Sequence, residues 1–468
     1  MSWRAIEVRR LQPIIAILVL VLLVGGAAYA EREVEPKPFG PGANGPARSG
    51  VWFCPHGGGP EGWEVFLQVA NPGVETATIR VRTLGAERAG DPQTLQVDPG
   101  AFIRVPVEAV GRGRASMVEW FGEWVAVGWL AHAGGGEGGV AAEPCAPAAG
   151  STVLLPDGTS EVKQDNDFVV VMNPFDRQAV FSLVLLSERQ EPVRYGDLTD
   201  VVLRPFRSVA FNLNDVVLGE RTVSTSVEVS VGRVAAATFG VSGSGGIRSA
   251  LGYLGVPSGP LTFPSGDDAG RTELVVMSVG EEGGDGGRVT LAGDIVGAEG
   301  GQPFAGLADA TMPSAAARTF PATTSGTTSV MFAASGGGVA AVRRTFGVAS
   351  DQAGVTGSVP TQAWVVLPAV AGSPNAPGLV LANPGAEPAV VTLRYLSPGP
   401  PDEVTVTMAP GTTVQAPQAF VRLAPDVAVV AIATSGTFVA AAASYSLGRE
   451  GIATYAVALG VALFQGPS

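Results

Sequence analysis

Val65-Phe-Leu-Gln-Val-Ala-Asn-Pro-Gly73, followed by Thr76-Ala-Thr-Ile-Arg-Val-Arg82, is the stretch from which the rest of the chain can be read. In its first half Val65, Leu67 and Val69 alternate with Glu64 and Gln68. In its second half Ala77, Ile79 and Val81 alternate with Thr78, Arg80 and Arg82. Both halves have the two-residue period of a strand with one buried face. Asn71-Pro72-Gly73 between them is a turn, because Pro has no N–H for a ladder, the residue before it is held extended, and Gly tolerates positive φ. The unit therefore reads as a hairpin.

It recurs three times. Val169-Val-Val-Met-Asn-Pro174 leads into Phe181-Ser-Leu-Val-Leu185, and Gly378-Leu-Val-Leu-Ala-Asn-Pro-Gly385 leads into Val391-Thr-Leu-Arg-Tyr395. A worn copy, Glu273-Leu-Val-Val-Met-Ser-Val-Gly280, leads into Arg288-Val-Thr-Leu291. With Asn71, Asn173, Ser278 and Asn383 as equivalents the steps are 102, 105 and 105 residues, the spacing of a tandem array. Asn71-Pro72, Asn173-Pro174 and Asn383-Pro384 are read as structural turns. Each copy also opens on a short apolar strand ending in Pro: Phe53-Cys-Pro55, Leu154-Leu-Pro156, Thr262-Phe-Pro264 and Val366-Leu-Pro368.

Seven or eight short strands per hundred residues, separated by turn signals, predict antiparallel sandwiches of immunoglobulin-like type. The chain divides into 1–30, an apolar segment; 31–50, a Pro/Gly-rich linker; and four sandwiches over 51–148, 149–258, 259–359 and 360–464. The fold class is all-β, a tandem array of four after one N-terminal hydrophobic helix. In the third copy many core positions shrink to Ala, which marks it as the least stable. Composition agrees: 46% of residues are hydrophobic and 15% charged, and 64 Gly with 36 Pro make up about a fifth of the chain.

Arg4, Arg9 and Arg10 precede Leu11–Ala30, an apolar run long enough for a helix that crosses a bilayer. The arginines place the chain after Ala30 outside. Ala28-Tyr29-Ala30 also fits a signal-peptide cleavage site, so the protein is either a single-pass membrane protein or secreted. A net charge of −13 argues against nucleic acid as a partner.

The two cysteines, Cys54 and Cys145, bracket the first sandwich and are read as a disulfide. His56-Gly57-Gly58-Gly59 matches an esterase oxyanion motif, but the chain has no G-x-S-x-G elbow to go with it. The same glycines fit G-x-G-x-x-G without a βαβ unit around them, so the segment reads as a loop. Two histidines, His56 and His132, are too few for a histidine-rich metal site. Asp165-Asn-Asp167, Asp267-Asp268 and Glu281–Asp285 are acidic turns that lack EF-hand spacing, so no metal or cofactor is assigned. Five of the seven tryptophans fall in the first sandwich. Alternating strand positions place most of these in a core; Trp63, Trp52 and Trp124 are the candidates for a glycan- or partner-binding face, and Trp63, at the hairpin edge, is the best single candidate for exposure.

Trp52-Phe-Cys-Pro55, Ala70-Asn-Pro72 and the cysteine at 145, behind an N-terminal hydrophobic segment, resemble an uncharacterised family of exported actinobacterial envelope proteins, a domain-of-unknown-function group. That resemblance spans residue 50 to the C-terminus; it implies location and architecture and no catalytic residues. The sequence thus leads to a non-catalytic envelope protein that presents a β-sandwich array outside the membrane and meets cell-wall glycan or another envelope protein. As a spacer it would be an extended monomer whose domains can be deleted singly. The alternatives are a carbohydrate-binding protein using the tryptophans and an extracellular hydrolase in which Asp165 and Asp167 act.

Overall fold

The computed structural model describes residues 49–134, 138–161, 166–189, 191–242, 246–268, 270–279, 287–347, 352–369, 378–396, 403–416, 427–447 and 453–463. The apolar segment and nearly all of the linker lie outside them. Among the described residues no helix is long and apolar enough to cross a membrane, and helix is limited to three short 3-10 turns.

The first group of strands is β1 (Ser49–Gly57), β2 (Glu64–Ala70), β3 (Ala77–Leu84), β4 (Gln93–Val97), β5 (Phe102–Val107), β6 (Arg114–Phe121), β7 (Ala126–His132) and β8 (Val140–Pro144). The second is β9 (Thr152–Leu155), β10 (Asn166–Asn173), β11 (Ala179–Ser187), β12 (Val193–Arg194), β13 (Val201–Leu203), β14 (Arg207–Asn212), β15 (Val223–Val231), β16 (Ala235–Val241) and β17 (Ile247–Leu251). The third is β18 (Leu261–Asp268), β19 (Arg271–Val279), β20 (Arg288–Gly297), β21 (Gly300–Pro303), β22 (Thr311–Pro313), β23 (Ala317–Thr323), β24 (Gly326–Ser335), β25 (Gly338–Phe346) and β26 (Gln352–Thr356). The fourth is β27 (Ala363–Val366), β28 (Gly378–Asn383), β29 (Ala389–Leu396), β30 (Glu403–Met408), β31 (Thr412–Gln415), β32 (Ala428–Ser435), β33 (Val439–Leu447), β34 (Ala453–Leu459) and β35 (Val461–Ala462).

Every group builds two antiparallel sheets with one strand order. The first sheets run β1-β6-β3-β4, β9-β15-β11-β12, β18-β24-β20-β21 and β27-β32-β29-β30; β13 joins β11, β22 joins β20, and β35 joins β27. The second sheets run β5-β2-β7-β8, β14-β10-β16-β17, β23-β19-β25-β26 and β31-β28-β33-β34.

This order corrects the hairpin. β2 pairs with β5 and β7, while β3 pairs with β4 and β6, so Asn71-Pro72-Gly73 carries the chain from one sheet to the other. The asparagine holds that corner from within. Asn71 is fully buried; its Nδ2 donates to the carbonyls of Glu75 and Val97, and its Oδ1 accepts from Gly73 N–H. Asn173 and Asn383 repeat the set, donating to the carbonyl four residues on and to carbonyls at the end of the next strand pair. In the worn copy Ser278 is too short to reach both: its one hydroxyl proton is shared between the Pro313 and Ala316 carbonyls, and its oxygen accepts from Ala316 N–H. Gly73 is not needed for positive φ, and Phe175 occupies the equivalent place in the second copy.

Single-sided burial is the second correction. On β10, Val169 and Val171 enter the core of their own group, while Val170 packs into the core of the first group and Met172 against its residues Phe53 and Met117. On β28, Leu379 and Leu381 face inward and Val380 meets Ala353 and Val355 of the third group. Gln68, the polar side of the β2 alternation, is 1% exposed and donates from Nε2 to the Pro368 carbonyl (2.7 Å). The third group's core is not reduced to Ala either, since Phe263, Phe304, Phe320 and Phe332 fill it.

Two-sided burial has one cause. The second sheet of each group stacks on the first sheet of the group before it: β10 and β16 on β1, β23 on β11, and β28, β31 and β33 on the β18 sheet. The circuit then closes. Leu130, Val140 and Ala142 of the first group pack with the fourth group's core, Leu367 and Val430 enter the first group's core, and Arg394 Nη2 donates to the Pro72 carbonyl (3.3 Å). At the centre β8 meets β17, β17 meets β26, β26 meets β34, and β34 meets β8. A head-to-tail interface that returns to its start makes a ring instead of a filament. The extended form that a spacer role would call for is not the one found: eight sheets stack in a closed circuit.

Candidate functional site

The densest polar chemistry lies where the first three groups converge. Pro156 ends the β9 extension and turns Asp157 inward, where one carboxylate oxygen accepts from Arg344 Nε and the other from Arg248 Nε (3.1 Å). Arg248, on β17, also donates to Asp167 Oδ2 and to Gln352 Oε1 (3.1 Å). Asp167 Oδ2 accepts from Thr159 N–H (2.6 Å) as well. Arg344 donates to the Gly158 carbonyl (2.9 Å) and approaches Glu273, which is further paired with Arg271 and Arg221. Arg343, its neighbour on β25, points to the opposite face of the sheet and binds Thr272, Thr328 and the Phe263 carbonyl inside the third group. Adjacent arginines on one strand thus serve two interfaces, as strand geometry requires.

Asp157, Asp167, Arg248 and Arg344 are at most 5% exposed. Burial pushes Asp157 up, but the guanidinium groups of Arg344 and Arg248 outweigh it and hold the carboxyl below its ordinary range. Burial also raises Asp167, and Arg248 does not fully offset it. Glu143, on β8, is driven well above the ordinary range by burial and then by the charge of Asp157, against one hydrogen bond from Leu251 N–H. Glu273 has burial raising it and the Arg271 hydrogen bond and the Arg344 charge lowering it; the arginines prevail. Sealed from solvent and ion-paired through its arginines, this cluster can hold three groups in register, and it keeps two buried carboxylate oxygens, Asp167 Oδ1 and Glu143 Oε1, without a hydrogen-bond partner among the described residues.

The expected residues are distributed as follows. Cys54 and Cys145 form the disulfide, tying β1 to the segment after β8. His56 is not in an open loop: it is buried, its Nε2 lies 3.0 Å from Ser116 Oγ, and its ring meets Trp129 edge-on. Burial, then the charge of Arg114, lowers its pKa to about 3, so the ring is neutral. This serine–histidine pair has no solvent access, and Nδ1 has no protein partner to orient it as a base.

Trp63 is 4% exposed, as the core packing expected of most of these tryptophans requires, so the best candidate for exposure is not exposed: it packs against Phe239 of the second group, with Arg112 over its ring. Trp52 is buried, donates to the Val125 carbonyl (2.9 Å) and meets Trp124 edge-on; Trp124 alone of the three is half-buried. Asp167 is a buried ion-pair partner and not part of an acidic turn. Asp165 and Glu281–Asp285 lie outside the described residues, as do the side chains of Asp267 and Asp268. Among the described residues no group of three or more His, Cys, Asp or Glu is placed to hold a metal ion.

Sequence reading missed the cluster because Pro156-Asp157-Gly158 looks like a solvated turn. The available signal was Arg343-Arg344 within Gly-Val-Ala-Ala-Val-Arg-Arg-Thr-Phe346, two charges in a strand otherwise apolar. Set against known protein families and against characterised proteins, the sequence matches none of them.

Proposed function

We propose that the chain is an exported envelope protein whose four immunoglobulin-like sandwiches form a non-catalytic interaction platform, held outside the membrane by Leu11–Ala30 or released after Ala30. One observation carries this: the first sheet of the fourth group packs on the second sheet of the first, so the array closes on itself, with the Asp157–Arg248–Arg344 cluster and Trp52, Trp63 and Trp129 buried inside it. Closure suits a surface that other molecules assemble on better than it suits a spacer. The family resemblance in the cysteine and Asn-Pro motifs supports the same location. The glycan-binding alternative loses its face, since Trp52 and Trp63 are turned inward.

Capture from the native envelope by the cross-linked full-length protein tests the reading. A specific envelope protein or polymer should be recovered with it. Turnover of a cell-wall substrate by the purified protein, lost in Asp167→Asn with melting unchanged, would contradict it.

A further inference from the structure

The four copies finish the outer edge of their first sheet in different ways. In the second copy that edge is split into β12 and β13 around a 3-10 turn at Gly196–Leu198, and in the third into β21 and β22 around one at Ala305–Leu307. Leu198 and Leu307 enter their cores from these turns, and the ladder offered to a neighbour is interrupted. In the first copy β4 is continuous but short, with Thr94 and Val97 as its β-branched residues. In the fourth, β30 is an unbroken strand of six residues, Glu403-Val-Thr-Val-Thr-Met408, in which β-branched residues run from Val404 to Thr407. It pairs with β29 on one side, and no described strand pairs with its other side. Glu403, Thr405 and Thr407 are exposed, while Val404 and Val406 are half-buried. Proteins ordinarily blunt such an edge with lysine, proline or a bulge, and none of these falls within Glu403–Met408. Its outward row of N–H and C=O groups is a template for one more strand.

We propose that this edge joins two copies of the chain: β30 pairs antiparallel with β30 of a second copy about a two-fold axis at Thr405, which extends the sheet β30-β29-β32-β27-β35 to ten strands. The proposal goes beyond the platform reading and does not rest on it. The occupant is read from the strand itself, which complements its own reverse. With Thr405 opposite Thr405, Val404 falls opposite Val406 and Glu403 opposite Thr407. Valine then meets valine, threonine meets threonine, and neither glutamate meets the other; β-branched and Thr–Thr pairs are favourable across antiparallel strands. The two Glu403 positions lie four residues apart along the seam, about 14 Å at strand spacing and beyond the roughly 8 Å over which salt leaves charges in contact. A two-fold contact uses both edges and leaves none for a third copy, so association stops at the dimer. The seam is about 20 Å long and one strand wide, well below the roughly 800 Å² per partner of a stable complex, which makes the dimer weak and dependent on concentration.

Sedimentation velocity on the full chain, with mild detergent present for Leu11–Ala30, tests this. Between about 1 and 200 µM the mass should move from monomer to dimer and stop there. Thr405 is exposed, so Thr405→Lys keeps the fold while setting two ammonium groups against each other on the axis; it should weaken the dimer at least about tenfold with melting unchanged. Thr94→Lys, on β4, should leave the dimer intact. The natural cysteines are joined to each other, so Thr405→Cys gives one free thiol. Mild oxidation should link it into a covalent dimer, whereas Val74→Cys, at a position 86% exposed, should stay unlinked. A chain that remains monomeric throughout overturns the proposal. A dimer that survives Thr405→Lys is made through another face and overturns it equally, as do growth beyond the dimer and a Val74→Cys thiol that links as readily as the one at Thr405→Cys.

Discussion

Asn71 shows how much one side chain holds at this fold's corners. Its amide satisfies two carbonyls and one N–H where the chain leaves one sheet for the other, all of them shielded from water. Asn71→Ala removes every partner at once. With each orphaned buried group costing about 1–3 kcal/mol, the variant should lose several kcal/mol in urea unfolding, and Ser278→Ala, whose one hydroxyl proton serves a single carbonyl at a time, distinctly less. Equal losses would show the asparagine to be no more than a turn former. Glu143 supplies a second prediction at this scale. Its folded pKa is raised, so the stability it contributes is complete below its ordinary value and lost as pH rises through the folded one. Asp157 and Glu273 are lowered, so their contribution is present above their ordinary values and lost as pH falls. Glu143→Gln should therefore melt close to the wild type at pH 4 and progressively above it toward pH 8; parallel melting curves would refute the assignment.

At the scale of strands, β2 and β3 were legible within a residue or two, because alternation and turn chemistry are local. Their partners were not. Nothing in Ala70-Asn-Pro-Gly73 distinguishes a hairpin from a crossing between sheets; the difference lies in what Asn71 bonds to from Glu75 and Val97. The strands that meet at the centre, β8, β17, β26 and β34, are too short or too rich in small residues to carry a strand pattern. The Ala runs in β16, β25 and β33 are the mark of close sheet stacking on both faces, yet read alone they suggest a weak core. The interfaces also differ in chemistry, aromatic between the first and second groups and ionic between the second and third, which keeps each group on its own neighbour. Arg344→Ala leaves Asp157 with one cation fewer in a buried setting and should cost about 3–5 kcal/mol. Adding Asp157→Asn to it should recover part of that loss, and a double variant as weak as the sum of the singles would deny the pairing. Trp63→Ala, which empties the contact with Phe239, should cost about 3–5 kcal/mol in the same assay.

For the whole molecule, four copies that each bury one face would make a string, and four that bury two make a circuit once the last finds the first. The repeat spacing reveals the number of copies but is silent on closure, because the Gln68 to Pro368 and Arg394 to Pro72 contacts join residues some three hundred positions apart. Closure is what the proposed platform rests on. It is tested most directly by the distance between spin labels at Val74→Cys and Glu403→Cys, both exposed, the second paired across β29 to Arg394. The closed ring predicts a single distance under about 30 Å, whereas two intervening groups of eight-residue strands laid end to end would put it beyond about 50 Å and contradict the account.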